Sequence, residues 1–367
     1  MKKPLISLIA LTASVVSANA FAASNMENPL YMPQNREVYL KTAVAGMYKT
    51  VEGTQSTDKK GTSGQTEFPV WRFFGDIGYG ITDRLDVHGH FGYTRDNEIN
   101  RKGMHRGRIG LMYRVLTDND PFVLDLYGDA YLSGITPMKG TYTNKGFDFA
   151  NYSNGRWGAI VGTRFGKTWN DFTLAAHVEY LQTFGNHNNK IALDPALRPL
   201  YGQFANPAHP LHAYEALLND TTMSQLGFPA EISVDLKSTH ETVAGFDAMY
   251  QLNKKWSLGG GFEYIEHYDN GVKGIYTKLA TPNINPALPA SVQQQLQDGV
   301  VKGLLDVTKD MDDGWDEYVI KTNVAYQYSD DIQFSAFFEY TLDEAHAQSQ
   351  NATDEKMELG IRMGARF

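Results

Sequence analysis

The 367-residue sequence predicts an all-β fold: a transmembrane, antiparallel, up-and-down β-barrel of about twelve strands, with short turns at one end and long loops at the other. Three observations predict it. Segments in which every second residue is apolar recur along the chain. Their connections alternate between short and long. Tyr, Phe and Trp make up 12% of the residues and gather at segment ends, where the aromatic girdles of a barrel meet the membrane interfaces. Successive side chains of a strand point to opposite faces, so each such segment has an apolar face for lipid and a polar face for an interior.

In chain order the segments are Val38–Tyr48, Val70–Ile81, Leu85–Tyr93, Arg106–Val115, Phe122–Leu132, Arg156–Phe165, Phe172–Gln182, Thr239–Leu252, Trp256–Ile265, Glu317–Tyr328, Ile332–Thr341 and Met357–Phe367. Most hold the roughly 9–11 residues that a tilted strand needs to cross a bilayer. The short connections are Thr82–Arg84, Thr117–Pro121, Gly166–Asp171, Asn253–Lys255 and Ser329–Asp331, all rich in turn-forming residues. The long ones are Lys49–Phe68, Thr94–His105, Ser133–Gly155, Thr183–Ser238, Glu266–Asp316 and Leu342–Lys356. A barrel of the outer-membrane type sorts its connections into short periplasmic turns and long extracellular loops, and a soluble barrel has no reason to.

Parity assigns the lipid face. Trp71, Phe73, Ile77, Tyr79 and Ile81 share one side of the second segment. Phe122, Leu124, Leu126, Ala130 and Leu132 share one side of the fifth, and Ile332, Phe334, Ala336, Phe338 and Tyr340 one side of the eleventh. Mean hydropathy is only −0.39, too low for a membrane helix, but strand alternation hides apolar surface from such an average.

The two termini agree. Lys2 and Lys3, the apolar run Leu5–Val16 and the small-x-small site Ala20-Phe21-Ala22 read as a signal peptide over residues 1–22, with Ala18-Asn19-Ala20 as a second cleavage site. Residues 23–36 then form a short periplasmic segment, too short for a plug domain but able to tuck into the barrel mouth, and 37–367 the barrel. At the other end Met357, Leu359, Ile361, Met363, Ala365 and Phe367 alternate with Glu358, Gly360, Arg362, Gly364 and Arg366. This resembles the terminal strand of Gram-negative outer-membrane proteins, which end in an aromatic residue, usually Phe. The resemblance implies an outer-membrane location, contact with lipid and lipopolysaccharide, and reading of that strand by the barrel-assembly machinery.

Composition excludes several classes. Cysteine is absent, so there is no disulfide framework, and a net charge of −9 disfavours a nucleic-acid partner. No phosphate loop, zinc-protease helix or nucleotide motif is present. The loops 183–238 and 266–316 are long enough to hold structure or function. Within them Ala290–Leu305 carries Val292, Leu296, Val300, Val301, Leu304 and Leu305 near helical spacing, and His212–Asn219 is a second helix candidate. These helices are expected to cap the barrel and pack on one another.

The polar parity lines the lumen. It includes Lys41, Arg72, Asp76, Asp86, His88, His90, Arg108, Arg114, Asp125, Tyr127, Asp129, Arg164, His177, Glu179, Asp247, Glu263, Lys321, Asn323, Glu339, Glu358, Arg362 and Arg366. Registers drawn across the short turns pair Lys321 with Glu339 and Arg108 with Asp129, and set Arg114 between Asp86 and Asp125; opposite charges on neighbouring strands stabilise one another. Acids and bases are about balanced, so weak ion preference is expected. Asp86, His88 and His90 on one face, with Asp76 opposite, have the donor types of a transition-metal site. Such imidazoles more commonly serve hydrogen-bond networks, and no metal or cofactor is expected.

Asn151-Tyr152-Ser153-Asn154-Gly155 resembles in part the His-x-Ser-Asn-Gly motif of outer-membrane phospholipase A, itself a barrel of about twelve strands. Ser153, Asn154 and Gly155 match, but Asn151 stands where that family has its histidine, and Asn cannot activate the serine. No enzyme is therefore expected. About twelve strands leave a narrow passage, between the filled interior of an eight-stranded barrel and the open channel of a sixteen-stranded one. A porin-like channel for small solutes is the main expectation. Uptake of hydrophobic or aromatic compounds and a closed structural barrel are the rivals.

Overall fold

A computed structural model of the chain describes residues 25–51, 64–65, 70–96, 101–104, 107–132, 139–143, 146–149, 156–185, 189–268, 272–309, 315–344 and 353–367. The Asn151–Gly155 motif lies outside them.

Twelve antiparallel strands close into one barrel. They are β1 (Val38–Val51), β2 (Val70–Thr82), β3 (Leu85–Asp96), β4 (Arg108–Leu116), β5 (Val123–Tyr131), β6 (Trp157–Trp169), β7 (Phe172–Phe184), β8 (His240–Gln251), β9 (Trp256–Tyr268), β10 (Trp315–Gln327), β11 (Ile332–Glu344) and β12 (Thr353–Arg366). Each pairs with its chain neighbours, and β12 closes on β1 from Tyr39↔Arg366 to Val51↔Thr353. Closure leaves no open sheet edge, the condition a sheet must meet in a bilayer, where water cannot satisfy free N–H and C=O groups.

All twelve segments expected from alternation are strands, and most run longer than the apolar pattern. The largest difference is at Gly166–Asp171, expected as a turn. There β6 continues to Trp169, and the reversal is made by Asn170 and Asp171 alone. Asn170 adopts φ 52°, a left-handed conformation that asparagine tolerates, and Trp169 stacks on Phe172 across the hairpin at 6.3 Å. Glycine and charged residues near strand ends look like loop in a sequence, yet ladder hydrogen bonds carry the strand through them.

Outward parity is apolar as expected. Trp71, Phe73, Ile77, Tyr79 and Ile81 on β2, Leu126 on β5, Phe334 and Phe338 on β11, and Met357, Leu359, Ile361 and Met363 on β12 are exposed to the surroundings of the wall. Ile361, 63% exposed, lies mid-strand on this belt. An arginine there enters hydrocarbon without a partner, so Ile361→Arg is expected to destabilise the barrel by about 2–4 kcal/mol. Urea unfolding in lipid vesicles measures it. A loss near zero would mean that this face does not meet lipid.

The two largest loops and part of the Ser133–Gly155 loop build a second body. Glu231–Leu236 lies between Val272–Ile275 and Asn189–Leu193, which pairs in parallel with Lys139–Thr143, followed by Gly146–Phe149. A short helix α1 (Glu215–Asn219) and a long one, α2 (Ala290–Lys309), complete it. Leu218 of α1, Val300 and Leu304 of α2, and Ile191, Leu226, Phe228, Ile232 and Val234 share one buried apolar core. The helical spacing of Val300 and Leu304 puts both on the face that meets this core. Gln297, one turn earlier, donates to the carbonyls of Leu226 at 2.6 Å and Ala280 at 2.9 Å, tying α2 to both loops. The expected helices therefore form and pack through a common core.

Candidate functional site

Inside the wall lies a cavity of about 840 Å³, lined by barrel strands and by residues of the N-terminal segment. Its charges fall into linked groups. Asp125, with a fully buried side chain, accepts from two arginines: Arg114 Nε at 2.8 Å and Arg164 Nη2 at 2.6 Å. His88 stands between Asp86 (2.9 Å) and Asp129 (3.0 Å). Arg108 reaches Asp129 at 3.6 Å and Glu179 at 2.9 Å, and the Tyr127 hydroxyl donates to Glu179 at 3.2 Å.

On the next wall Lys321 pairs with Glu263, and His177 lies 3.3 Å from Glu263 and 3.5 Å from Asp247. Nearer the long loops, His267 and Lys356 hold Glu241 and Glu317. Arg72 pairs with Glu358, and His90 sits 2.7 Å from Asp76. Arg362 lies over the Phe337 ring at 5.1 Å and the Phe74 ring at 5.7 Å, a cation–π seat between β2 and β11.

The expected registers meet the structure unevenly. Lys321 does face Glu339, and Arg114 faces Asp125. Arg108 faces Tyr131 instead, two residues from the expected partner; its guanidinium reaches back diagonally to Asp129, which lies opposite Gly110. Arg114 does not bridge to Asp86, whose hydrogen-bond partner is His88; its second contact is the Leu30 carbonyl at 2.7 Å. Arg366 lies at the short-turn rim, 3.5 Å from Asp331 and 4.0 Å from Glu37. Asp86, His88 and His90 share the inward face with Asp76 opposite His90, but both His88 nitrogens are taken by carboxylates. Among the described residues no group of three or more His, Cys, Asp or Glu is arranged to hold a metal.

The largest feature that parity could not reveal is the path of residues 25–37, which cross the lumen near the short turns as a strap. Asn25 donates to Gln251 and to Ser257, on β8 and β9, at 3.1 and 2.9 Å. Gln333 of β11 accepts from the Met26 N–H at 3.0 Å. Glu27 takes Arg362 at 2.7 Å, Asn323 at 3.0 Å and Ser335 at 3.2 Å. Leu30 packs on Val123 and Ala175, and its carbonyl and that of Tyr31 receive Arg114 and Arg164. The far end is pinned where Asp83 accepts from the Asn35 N–H at 3.1 Å and Gly80 from the Arg36 N–H at 2.7 Å. Gly80 has to be glycine, since a Cβ there would overlap the Gln34 carbonyl.

The strap divides the interior. A second cavity of about 650 Å³ lies on its short-turn side, and Asn28 and Pro33 line both spaces. Burial alone would push the Glu27 carboxyl up, but Arg362 and then Lys41 outweigh it and hold the carboxyl below its ordinary value. The tether is thus complete at neutral pH.

Sequence reading also missed Gly259, Gly260 and Gly261, three successive glycines in mid-β9. A run of glycine in an otherwise regular strand was the available signal. Gly261 faces Asp247, and the Asp247 carboxylate occupies the space a Cβ there would fill. The glycines let side chains of β8 and β10 lie against the wall instead of projecting into the lumen.

A closed twelve-stranded wall, apolar outside and charged within, defines an outer-membrane-type barrel of porin-like architecture. No protein-family model matches the chain, and no curated protein matches it. Among solved structures, an outer membrane channel of the COG4313 group from Pseudomonas putida F1 is similar over 94% of this chain and 99% of its own, at 12% identity and a TM-score of 0.53. The TodX monoaromatic hydrocarbon channel aligns over 95% and 94% at 9% identity and a TM-score of 0.44, and the NanC porin over 87% and 98% at 8% and 0.38. At these identities the likeness is one of fold.

Proposed function

We propose that the protein is a porin-like channel in the outer membrane of a Gram-negative bacterium, passing small solutes through a narrow charged lumen. One observation carries this reading: a charge-lined cavity of about 840 Å³ inside the wall that is narrowed by the chain's own strap instead of being filled by wall side chains. A barrel built only for structure would gain by packing its interior. Arg72, Asp76, Asp86, His88, His90, Arg108, Asp129, Arg164, Glu179, Lys321, Glu339, Glu358 and Arg362 are the proposed lumen charges, with Arg114 and Asp125 anchoring the strap. In this reading residues 1–22 are removed on export, the 357–367 strand is read during assembly, and lipid and lipopolysaccharide surround the wall.

A second reading has support of its own. Beside the charges nearer the long loops the lumen also carries apolar side chains, with Tyr131, Ile160 and Leu181 in one buried cluster and Val243, Ile265 and Val319 in another. Such clusters suit solutes with an apolar part, so passage of aromatic or hydrophobic compounds is the alternative. Planar-bilayer recording separates channel from closed barrel. Discrete conductance steps are expected from the purified protein. A tight seal at all voltages, in the protein and in a variant lacking the strap, would refute the channel.

A further inference from the structure

The lumen charges balance in number far better than they balance in space. Ten carboxylates, seven lysine or arginine side chains and three imidazoles line the cavity among the described residues. With the carboxylates ionised there is no positive excess even when every imidazole is protonated, and there is a negative one when they are neutral. The signs are also segregated. The wall β7–β11 contributes six of the carboxylates and a single lysine, Lys321, while the remaining strands and the strap contribute six lysines or arginines against four carboxylates.

Pairing sharpens the asymmetry. Arg72, Arg108, Arg164, Lys321, Lys356 and Arg362 each contact a carboxylate, and Lys41 donates to the Met26 carbonyl at 2.5 Å. Asp86 and Glu241 are held by imidazoles instead, His88 at 2.9 Å and His267 at 3.0 Å, which leaves Asp247 and Glu339. Asp247 has only the His177 imidazole at 3.5 Å. Glu339 makes no hydrogen bond or ion pair within the described residues; it lies in register with Lys321, which has turned to Glu263, and with Glu358, which is held by Arg72. Asp247, Gly261, Lys321 and Glu339 form one row across β8 to β11, and the Asp247 carboxylate lies over Gly261. This wall therefore carries more negative charge than its one lysine offsets. A cleft of one sign with low-dielectric walls concentrates the opposite ion.

We infer that the lumen passes small cations in preference to anions, and that Asp247 and Glu339 are the residues that determine this selectivity. The inference rests on the channel reading above. It replaces the weak ion preference expected from composition, because counting residues cannot show which charges are already spent on partners.

Reversal potentials across a KCl gradient in planar bilayers test it. The protein should favour potassium over chloride. Asp247→Asn with Glu339→Gln should reduce the permeability ratio by roughly threefold or more, whereas Lys321→Gln, which removes the one cation of that wall, should raise it. Each variant is first checked for the heat-dependent gel shift of a folded barrel, and Glu339→Gln alone provides an isosteric change at a residue with no hydrogen bond to lose among the described residues. Conductance with no cation preference, or a preference unmoved by the double variant and by Glu339→Gln, overturns the selectivity while leaving the channel. No conductance at all overturns both.

Discussion

Deleting Asn25–Pro33 is expected to raise single-channel conductance severalfold while leaving the barrel folded. The segment separates two cavities that would otherwise be continuous at Asn28 and Pro33, and its hydrogen bonds cross the mouth from β8, β9 and β11 to the turn between β2 and β3. The wall itself does not depend on it, because β1 begins at Val38 and closes on β12 through its own ladder. A milder version uses pH. Because the Glu27 carboxyl is held below its ordinary value, its contribution is complete above the normal glutamate range and disappears as pH falls through the lowered value. Conductance should thus step up on acidification, and Glu27→Gln should remove that step. An unchanged conductance in the deletion variant would show that the strap does not limit the passage.

Asp125→Ala is expected to cost about 3–5 kcal/mol of barrel stability, the scale for stripping one partner from a buried ion pair. Asp125 is the shared acceptor of Arg114 and Arg164, and its carboxylate is fully buried. Removing it strands two guanidinium groups inside the wall, and both also lose the orientation with which they donate to the Leu30 and Tyr31 carbonyls. The strap should loosen along with the wall. Urea unfolding in vesicles measures the first effect, and protease sensitivity near Leu30 the second. A stability loss below about 1 kcal/mol would place this triad with exposed pairs.

Strand positions and facing were readable because alternation is a local property. Ile77 and Tyr79 point outward for the same reason that Asp76 points inward, and no distant residue enters the argument. Short-range register was readable where a turn is regular, as at Lys321 and Glu339. It failed at Arg108, across the longer Thr117–Pro121 connection, where the ladder partner is Tyr131 and not Asp129. Which partner a lumen charge takes was harder still. Lys321 has Glu339 opposite and binds Glu263, because a long flexible side chain chooses among carboxylates on both neighbouring strands. Glu241, Glu317, Lys356 and His267 were not singled out as lumen charges; His267 and Lys356 sit where the strands run past their apolar pattern, and Glu241 and Glu317 lie at the loop ends of theirs.

Alternation along each strand was enough to determine a closed membrane wall, its lipid belt and its polar interior, because the period of a strand is written in consecutive residues. Only the folded chain decided how that interior is used. Asn25 meets Gln251, and Glu27 meets Arg362, across more than two hundred residues of sequence. Contacts of that kind arise when the ring closes and brings β1 beside β12, and no local pattern encodes them.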